Sequence, residues 1–362
     1  MKPQSPHTEQ ALGSDPFTQG DGTLPFLIRL REHTLRVVTE NGEPRSRPAP
    51  SEAPKSAPDL GPPVPEVPSF DDTDEPSSWM DRVAGMLLEP EDEERLVTLA
   101  NTLNARPYDV LGLSPRVTRR ALSVFKLLYR YYFRVESSGH QVLPEKGGAI
   151  LAANHGGLLP FDASMAIVDV FLHATPPRLL RTVVDRWAGT LPFVNIFYAR
   201  VGQIIGSQDN FRELLQDGQL VMVFPEGLPA ARKRAAERYV LQNFHLGFIE
   251  ESMRNHVPIV PVALVGPDDQ APILYDVGPL ARMLGLPIFP ITPTFPWLGP
   301  LGLLPYPVKY EIRYGEPFRF YEEYPAESAE DPHAVRYMAE QVRRRIQEMV
   351  DQRVLVRRNK GT

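Results

Sequence analysis

Short apolar runs alternate with helical patterns between residues 149 and 266, and this alternation constrains the fold more than any other feature of the chain. The runs AILAAN (149–154), LVMVFPEG (220–227) and PIVPVALVG (258–266) are β-rich, whereas DASMAIVDVFLHA (162–174) has a helical pattern. β-rich runs separated by helices are typical of an α/β layer fold. The sequence therefore predicts a largely parallel central sheet flanked by helices.

The N-terminal part of the chain has a different composition. Residues 43–68 contain nine prolines and almost no large apolar side chain, so they cannot bury enough surface to offset the entropy lost on ordering. Two short helical patterns follow before the alternating segment begins. We therefore predict a disordered Pro-rich arm at 1–72, a helical lead-in at 73–114 and a catalytic domain at 115–357.

Charge and composition exclude several classes of function. The 362 residues include 39 basic and 45 acidic side chains, a formal net charge of −6, which is not the basic footprint of a general nucleic-acid binder. There is no cysteine, so disulfides and cysteine nucleophiles are excluded and a reducing compartment is favoured. The sequence has neither an HExxH motif nor a close cluster of His, Asp and Glu, so we predict no metal ion and no cofactor.

Two segments are candidates for membrane contact. The uncharged segment 283–308 is long enough to cross a bilayer, but its seven prolines exclude a regular spanning helix, so contact should be peripheral. Its Phe295, Trp297 and Leu298 either enter the membrane interface or belong to a cover over the active site. A helix predicted at 116–134 carries basic residues along one face, which either meets anionic headgroups or is simply solvated.

The first candidate site follows the apolar run at 149–154. Asn154, His155 and two glycines precede Asp162, where the next helical pattern begins, and α/β sheets bind ligands at this edge. A base that deprotonates an alcohol at neutral pH needs the pKa of a histidine, and a carboxylate would orient its ring. The alternative is that His155 is an ordinary loop residue and Asp162 only a helix N-cap.

The second candidate site is the segment Phe224, Pro225, Glu226 and Gly227, which follows another apolar run. Considered alone, it is equally well explained as a turn after a strand. The sequence contains no G-x-S-x-G motif, so transfer is favoured over hydrolysis by a serine nucleophile.

Taken in order, the NHGGLLPFD segment, the FPEG turn and the PIVPVALVG strand resemble the lysophosphatidate acyltransferase (PlsC-type) family of glycerolipid acyltransferases, over roughly residues 115–320. The VDRW, ARVG and TPTFPWLGPLGLLP stretches look like a bacterial branch related to diacylglycerol acyltransferases. The resemblance implies a glycerolipid O-acyltransferase with acyl-CoA or acyl-carrier protein as donor and no covalent acyl-enzyme. It also implies that His155 is the base and Asp162 its partner, and that the substrate contacts are Asn154, Phe224, Pro225, Glu226 and Gly227.

The chain departs from the usual family pattern in two places. Six residues separate His155 from Asp162, where the family usually has four. The arginines that the family uses for an acceptor phosphate are also missing, because the corresponding places read GQIIGSQ (202–208) and, after Gly227, Leu-Pro-Ala.

Nearby cations would replace those arginines if the acceptor is phosphorylated, since a guanidinium binds phosphate well. The candidates are Arg200, Arg232, Lys233, Arg234 and Arg238. The sequence hypothesis therefore takes a lysophospholipid resembling 1-acylglycerol 3-phosphate as the acceptor, with a neutral mono- or diacylglycerol as the alternative.

The resulting hypothesis is an acyltransferase bound peripherally to the cytoplasmic face of a membrane. Its expected partners are acyl-CoA or acyl-carrier protein, a lysolipid acceptor and the membrane surface, and nucleic acid is not among them. The alternative from another class is a catalytically silent lipid-binding protein, against which His155, Asp162 and Glu226 argue.

Overall fold

A seven-stranded sheet forms the centre of the protein in a computed structural model, which describes residues 78–102, 111–157, 159–185, 193–286 and 288–360. The predicted arm at 1–72 lies outside these residues, and the division into arm, lead-in and catalytic domain stays a prediction. The strands of the sheet are β1 (Glu136–Ser138), β2 (Ala149–Ala153), β3 (Leu180–Val184), β4 (Ile204–Ile205), β5 (Leu220–Val223), β6 (Ile259–Val265) and β9 (Glu311–Tyr314). Two further strands, β7 (Tyr275–Asp276) and β8 (Pro290–Ile291), form a separate two-stranded ribbon.

The strand order across the sheet is β1-β9-β6-β2-β5-β3-β4. Every neighbouring pair is parallel except β6 and β9, which run antiparallel. All residues of β2 and β6 are buried, as expected for central parallel strands, whose unbroken apolar runs face helices on both sides. The prediction of a largely parallel sheet flanked by helices is confirmed.

Helices cover both faces of the sheet because successive side chains of a strand point to opposite sides. The helices are α1 (Trp79–Leu87), α2 (Pro90–Thr102), α3 (Pro115–Leu127), α4 (Phe161–His173), α5 (Val194–Arg200), α6 (Gln208–Gln216), α7 (Leu228–Ala231), α8 (Gly247–Asn255), α9 (Gly278–Met283), α10 (Phe320–Glu323) and α11 (Pro332–Lys360). One apolar core joins Leu151 of β2 to α3 and α4, and a second joins Ile150 to α6, α8 and α11.

The basic face of α3 points at the N-terminal helices α1 and α2. Neither alternative drawn from the sequence, a headgroup contact or a solvated stripe, describes this face, because acidic side chains of the lead-in neutralise it within the protein. The ion pairs are Arg116–Asp81 (2.7 Å), Arg120–Asp81 (2.6 Å), Arg119–Glu93, Lys126–Asp92 and, from the turn that continues α3, Arg130–Glu89 (2.7 Å).

The C-terminal end of α4 is anchored by the buried carboxylate of Asp169. The hydroxyls of Tyr129 and Tyr314 each donate a 2.6 Å hydrogen bond to it, and ring nitrogens of His140 and His173 lie 3.2 Å from its oxygens. Burial opposes the charged form, but these hydrogen bonds outweigh it and hold the pKa of Asp169 below its usual value. Because α4 begins at the first candidate site, the anchor also helps to fix that site.

The Pro-rich segment 283–308 exposes an apolar tip. Trp297 is 77% exposed and Leu301 is 70% exposed, so the tip is not a buried cover over the site. The base of the segment contacts the sheet edge, where the Tyr306 N–H donates to the Gln270 carbonyl at 2.7 Å. Within the described ranges, no helix combines the length and apolar character that crossing a bilayer requires.

Candidate active site

His155 and Asp162 form a hydrogen-bonded pair at the carboxyl edge of the sheet. His155 lies in the loop after β2 and Asp162 in the first turn of α4, and His155 Nδ1 is 2.5 Å from Asp162 Oδ2. Asp162 is fully buried, whereas 19% of the His155 side chain is exposed. Since Asp162 accepts a hydrogen bond from the Nδ1–H group, Nε2 is the basic nitrogen, and it has no hydrogen-bonding partner among the described residues.

His155 and Asp162 meet across six intervening residues because the loop between them folds tightly. The Gly156 N–H donates to Asp162 Oδ2 at 3.2 Å, so one carboxylate oxygen holds both the ring and the backbone of the loop. Gly157 has a φ of +82°, and a Cβ there would lie 2.1 Å from Gln270 Nε2, so only glycine fits. The N-cap alternative is not realised, because the N-cap of α4 is Pro160 and Asp162 lies inside the first turn, where its Oδ1 accepts from the N–H of the next residue, Ala163, at 2.8 Å.

The surroundings of His155 favour its charged form. Burial lowers the pKa of the imidazole, but the charge and the hydrogen bond of Asp162 outweigh burial and raise it above the usual value. Glu226 raises the pKa further and Lys233 opposes that rise. Phe224 packs against the ring with centroids 4.8 Å apart.

The side chain of Asn154 is hydrogen-bonded to the protein backbone. Its side chain is buried and spans to β6, with Nδ2 donating to the Leu264 carbonyl at 2.9 Å and Oδ1 accepting from the Leu264 N–H at 2.7 Å. Both ends of the amide are occupied by backbone, so Asn154 holds the start of the His155 loop to β6, and its predicted substrate contact stays a prediction.

Glu226 is likewise buried, although the sequence suggested an acceptor contact for it. Its Oε1 accepts from the His155 N–H at 3.0 Å, and its Oε2 accepts from the Gln242 N–H and from Lys233 Nζ, each at 2.7 Å. The carboxylate thus braces the loop of His155 from inside. Gly227 follows with a φ of +60°, which explains the glycine after this turn.

The cations predicted to replace the missing arginines lie in different environments. Lys233 is buried and paired with Glu226. Arg200 ends α5, where its carbonyl accepts from the Ser114 N–H at 2.9 Å, and Arg232 is exposed after α7.

Asp268 and Gln270 lie beside the His155 loop, although the sequence motifs did not reveal them. Gln270 Nε2 donates to the Gly156 carbonyl at 3.3 Å, and Asp268 Oδ2 accepts from the Tyr239 N–H at 2.6 Å. Burial raises the pKa of Asp268 to about 6, opposed by Lys233. Both residues follow β6, so the rule that ligands and polar groups gather where parallel strands end would have pointed to them.

An apolar cavity of about 290 Å³ lies between α3, α4 and α5. Its walls include Ala121 and Phe125 of α3, Ile167 of α4 and Phe197 of α5. Leu159, Pro160 and Phe161 also line it, and because these residues lead directly into Asp162, the cavity adjoins the His155 loop.

One group in the described part of the chain has the composition of a metal site: His140, Asp169 and His173. Its geometry does not favour a shared ion. The two imidazole rings are stacked, with centroids 4.3 Å apart and planes 15° from parallel, so their in-plane lone pairs do not converge on one point as tetrahedral coordination requires.

A histidine–aspartate pair beside an apolar cavity, at the carboxyl edge of an α/β sheet, has the composition that general-base chemistry on a substrate with an apolar chain requires. Comparison with known proteins identifies the family. The model of the family "Acyltransferase" matches residues 134–265. An uncharacterized protein of Mycobacterium leprae is 38% identical over 253 residues, covering 69% of each chain, and one of Mycobacterium tuberculosis is 37% identical over 253 residues, covering 69% of this chain and 70% of that protein.

The chain belongs to the acyltransferase family and is an enzyme, which confirms its resemblance to glycerolipid acyltransferases. The chain is also similar over a shorter stretch to the bovine "DGAT1/2-independent enzyme synthesizing storage lipids". The two are 26% identical over 127 residues, which cover 35% of this chain and 37% of the bovine protein. A solved structure, the lysophosphatidate acyltransferase PlsC of Thermotoga maritima, aligns with a TM-score of 0.40 at 18% identity, covering 64% of this chain and 81% of that one.

Proposed function

We propose that the enzyme transfers a fatty acyl group from a thioester donor, acyl-CoA or acyl-carrier protein, to the hydroxyl of a neutral glyceride at a membrane surface. The observation that carries the acyl-transfer chemistry is the 2.5 Å contact between His155 Nδ1 and Asp162. That contact leaves Nε2 able to accept a proton from an alcohol.

The proposed reaction is a direct transfer. Nε2 of His155 takes the proton of the acceptor hydroxyl while the oxygen attacks the thioester carbonyl and forms the ester bond. The carbon–sulfur bond then breaks, and the imidazolium returns its proton to the thiolate that leaves. Asp162 stabilises the imidazolium between these steps through its charge and hydrogen bond.

The neutral acceptor is favoured by the state of Lys233 and Glu226. These two residues neutralise each other in the interior beside His155, so neither the ammonium nor the carboxylate is open to a substrate phosphate. Ser207, in the segment where the family pattern predicts an arginine, caps α6 by accepting from the Asn210 N–H at 3.2 Å. A phosphorylated lysolipid would have to rely on cations further from the base.

The apolar cavity beside Asp162 is a suitable site for the acyl chain of the donor. Its volume of about 290 Å³ suits one chain rather than a whole lipid. Each methylene transferred from water to such a cavity contributes about 0.8 kcal/mol.

Filling this cavity should shorten the preferred acyl chain. Ala121→Phe places a ring in the space lined by α3, and we expect kcat/KM for long-chain donors to fall by about fourfold for each methylene that no longer fits. Val124→Phe adds the same ring to the exposed side of the same helix and serves as the matched control. If Ala121→Phe and Val124→Phe give the same chain-length profile across a donor series, the cavity does not hold the acyl chain.

Membrane contact is proposed for the apolar tip of the Pro-rich segment. Trp297, Leu298, Leu301 and Leu304 are all exposed there, and aromatic and aliphatic side chains of this kind enter the membrane interface. The tip is connected to the site, because Tyr306 binds the Gln270 backbone and Gln270 binds the Gly156 carbonyl. A bilayer under the tip would therefore supply the acceptor close to the base.

Acceptor selectivity tests the proposed function. Purified protein would be given a long-chain acyl-CoA and vesicles containing lysophosphatidate, monoacylglycerol or diacylglycerol, with products identified by mass spectrometry and vesicle binding followed by co-sedimentation. We expect the highest kcat/KM for a neutral glyceride. A preference for lysophosphatidate would replace the proposed acceptor with the phosphorylated one, and no transfer to any of the three lipids would contradict the proposed function.

A further inference from the structure

Lys233 is a buried cation in direct contact with the backbone of His155. Its Nζ lies 2.7 Å from Glu226 Oε2 and 3.2 Å from the His155 carbonyl oxygen. It belongs to the segment after the FPEG turn, where neighbouring Arg232 and Arg234 are exposed and Lys233 alone points inward.

Lys233 and Glu226 together hold both backbone polar groups of His155. Glu226 Oε1 accepts from the His155 N–H at 3.0 Å, and Lys233 donates to the His155 carbonyl. Asp162 holds the ring at Nδ1. The base is therefore fixed at three points, which leaves the direction of Nε2 little freedom.

A contribution to the stability of the fold does not by itself explain the buried ion pair of Lys233 and Glu226. Removing two charges from water costs several kcal/mol for each ion, and apolar replacements of buried ion pairs are often neutral or stabilising. The pair also occupies the place where a substrate contact was expected.

We propose that Lys233 is a positioning residue for the acyl transfer proposed above, acting through Glu226 and the His155 carbonyl to aim the base at the acceptor hydroxyl. The proposal rests on the proposed function for its chemistry. Burial and the Lys233 ammonium lower the pKa of His155 against the opposing effects of Asp162 and Glu226, so Lys233 also enlarges the fraction of neutral base near pH 7.

Lys233→Met removes the charge and both hydrogen bonds while keeping an unbranched side chain. We expect kcat to fall by roughly 10- to 100-fold, the usual cost of a small misplacement of a catalytic group, with little change in the donor KM. The acidic limb of the kcat profile should move to higher pH, because the pKa of His155 rises when the nearby positive charge is lost.

Lys126→Met is the matched control, since Lys126 is also a buried lysine paired with a carboxylate, Asp92, but it lies between α3 and α2. Both variants should melt at a lower temperature than the wild type. Only Lys233→Met should change kcat and the pH profile, which separates positioning from stability.

A titration of the His155 imidazole by NMR, identified by its loss in His155→Ala, needs no substrate and so tests Lys233 independently of the proposed reaction. A higher pKa of His155 in Lys233→Met supports the proposal even if the acceptor is another lipid. If Lys233→Met does not fold, Lys233→Gln, which keeps a donor without the charge, is measured instead. A folded variant with the wild-type kcat, pH limb and His155 titration would show that Lys233 has no positioning role.

Discussion

Replacing His155 with alanine should lower kcat for acyl transfer by roughly 10²- to 10⁴-fold, the contribution that a positioned general base usually makes. The reason is that an alcohol holds its proton at neutral pH, so attack on a thioester requires a base that removes the proton as the new bond forms. Nε2 of His155 is placed for this step by the Asp162 contact at Nδ1. Steady-state kinetics with radiolabelled acyl-CoA would measure the loss.

The fold should survive this substitution, because the buried contacts of the loop are made by Asn154, Gly156 and Asp162 rather than by the exposed part of the His155 ring. His333→Ala, at an exposed position near the start of α11, is the matched control and should keep wild-type activity. A folded His155→Ala protein that turns over at the wild-type rate would exclude His155 as the base.

Changing Asp162 to asparagine should also lower kcat, again by roughly 10²- to 10⁴-fold, because an amide neither stabilises an imidazolium nor keeps the proton on Nδ1. The pH dependence of kcat shows in which direction Asp162 shifts the pKa of His155. Asp162 raises the pKa of His155, so in the wild type the rate should rise with pH through a pKa above the usual value for histidine. In Asp162→Asn the carboxylate charge no longer offsets the effect of burial, so the pKa of His155 should fall. The acidic limb of the kcat profile should therefore move to lower pH.

A purely structural role of Asp162 predicts a different result. Asparagine keeps a side-chain oxygen that can accept from the Ala163 N–H, so the variant would lose about 1 kcal/mol of stability or less and keep the wild-type kcat. Thermal melts measured beside the kinetics distinguish the two outcomes: full activity, with an unchanged or slightly lower melting temperature, would show that Asp162 is only structural.

The sequence paired His155 with Asp162, and the structure brings the two side chains together, but the folding of the loop between them was not visible in the sequence; their roles as base and partner stay predictions. NHGG and the first turn of α4 were recognisable because a strand pattern precedes them and a helical pattern follows. The closure of the six-residue gap depends on Gly157, whose left-handed backbone and lack of a Cβ allow Gln270 to approach. No local pattern announces that approach, because Gln270 is more than a hundred positions further along the chain.

The basic residues likewise differ between what the sequence predicts and what the tertiary structure shows. Helical periodicity correctly placed the cations of α3 on one face, yet their acidic partners on α1 and α2 became evident only from the packing of those helices. Likewise, Arg232, Lys233 and Arg234 look alike in sequence, and only one of them is buried against Glu226.

By itself, the sequence determined the alternation of strands and helices between residues 149 and 266, the largely parallel character of the sheet and the motifs that resemble the acyltransferase family, because these follow from side-chain periodicity and from residues close together in the chain. The tertiary structure decided which polar groups are open to substrate. Glu226 reaches the His155 N–H across 71 positions, and Asn154 reaches Leu264 across 110, so whether each side chain is a ligand or a brace depends on how distant segments pack and bury it.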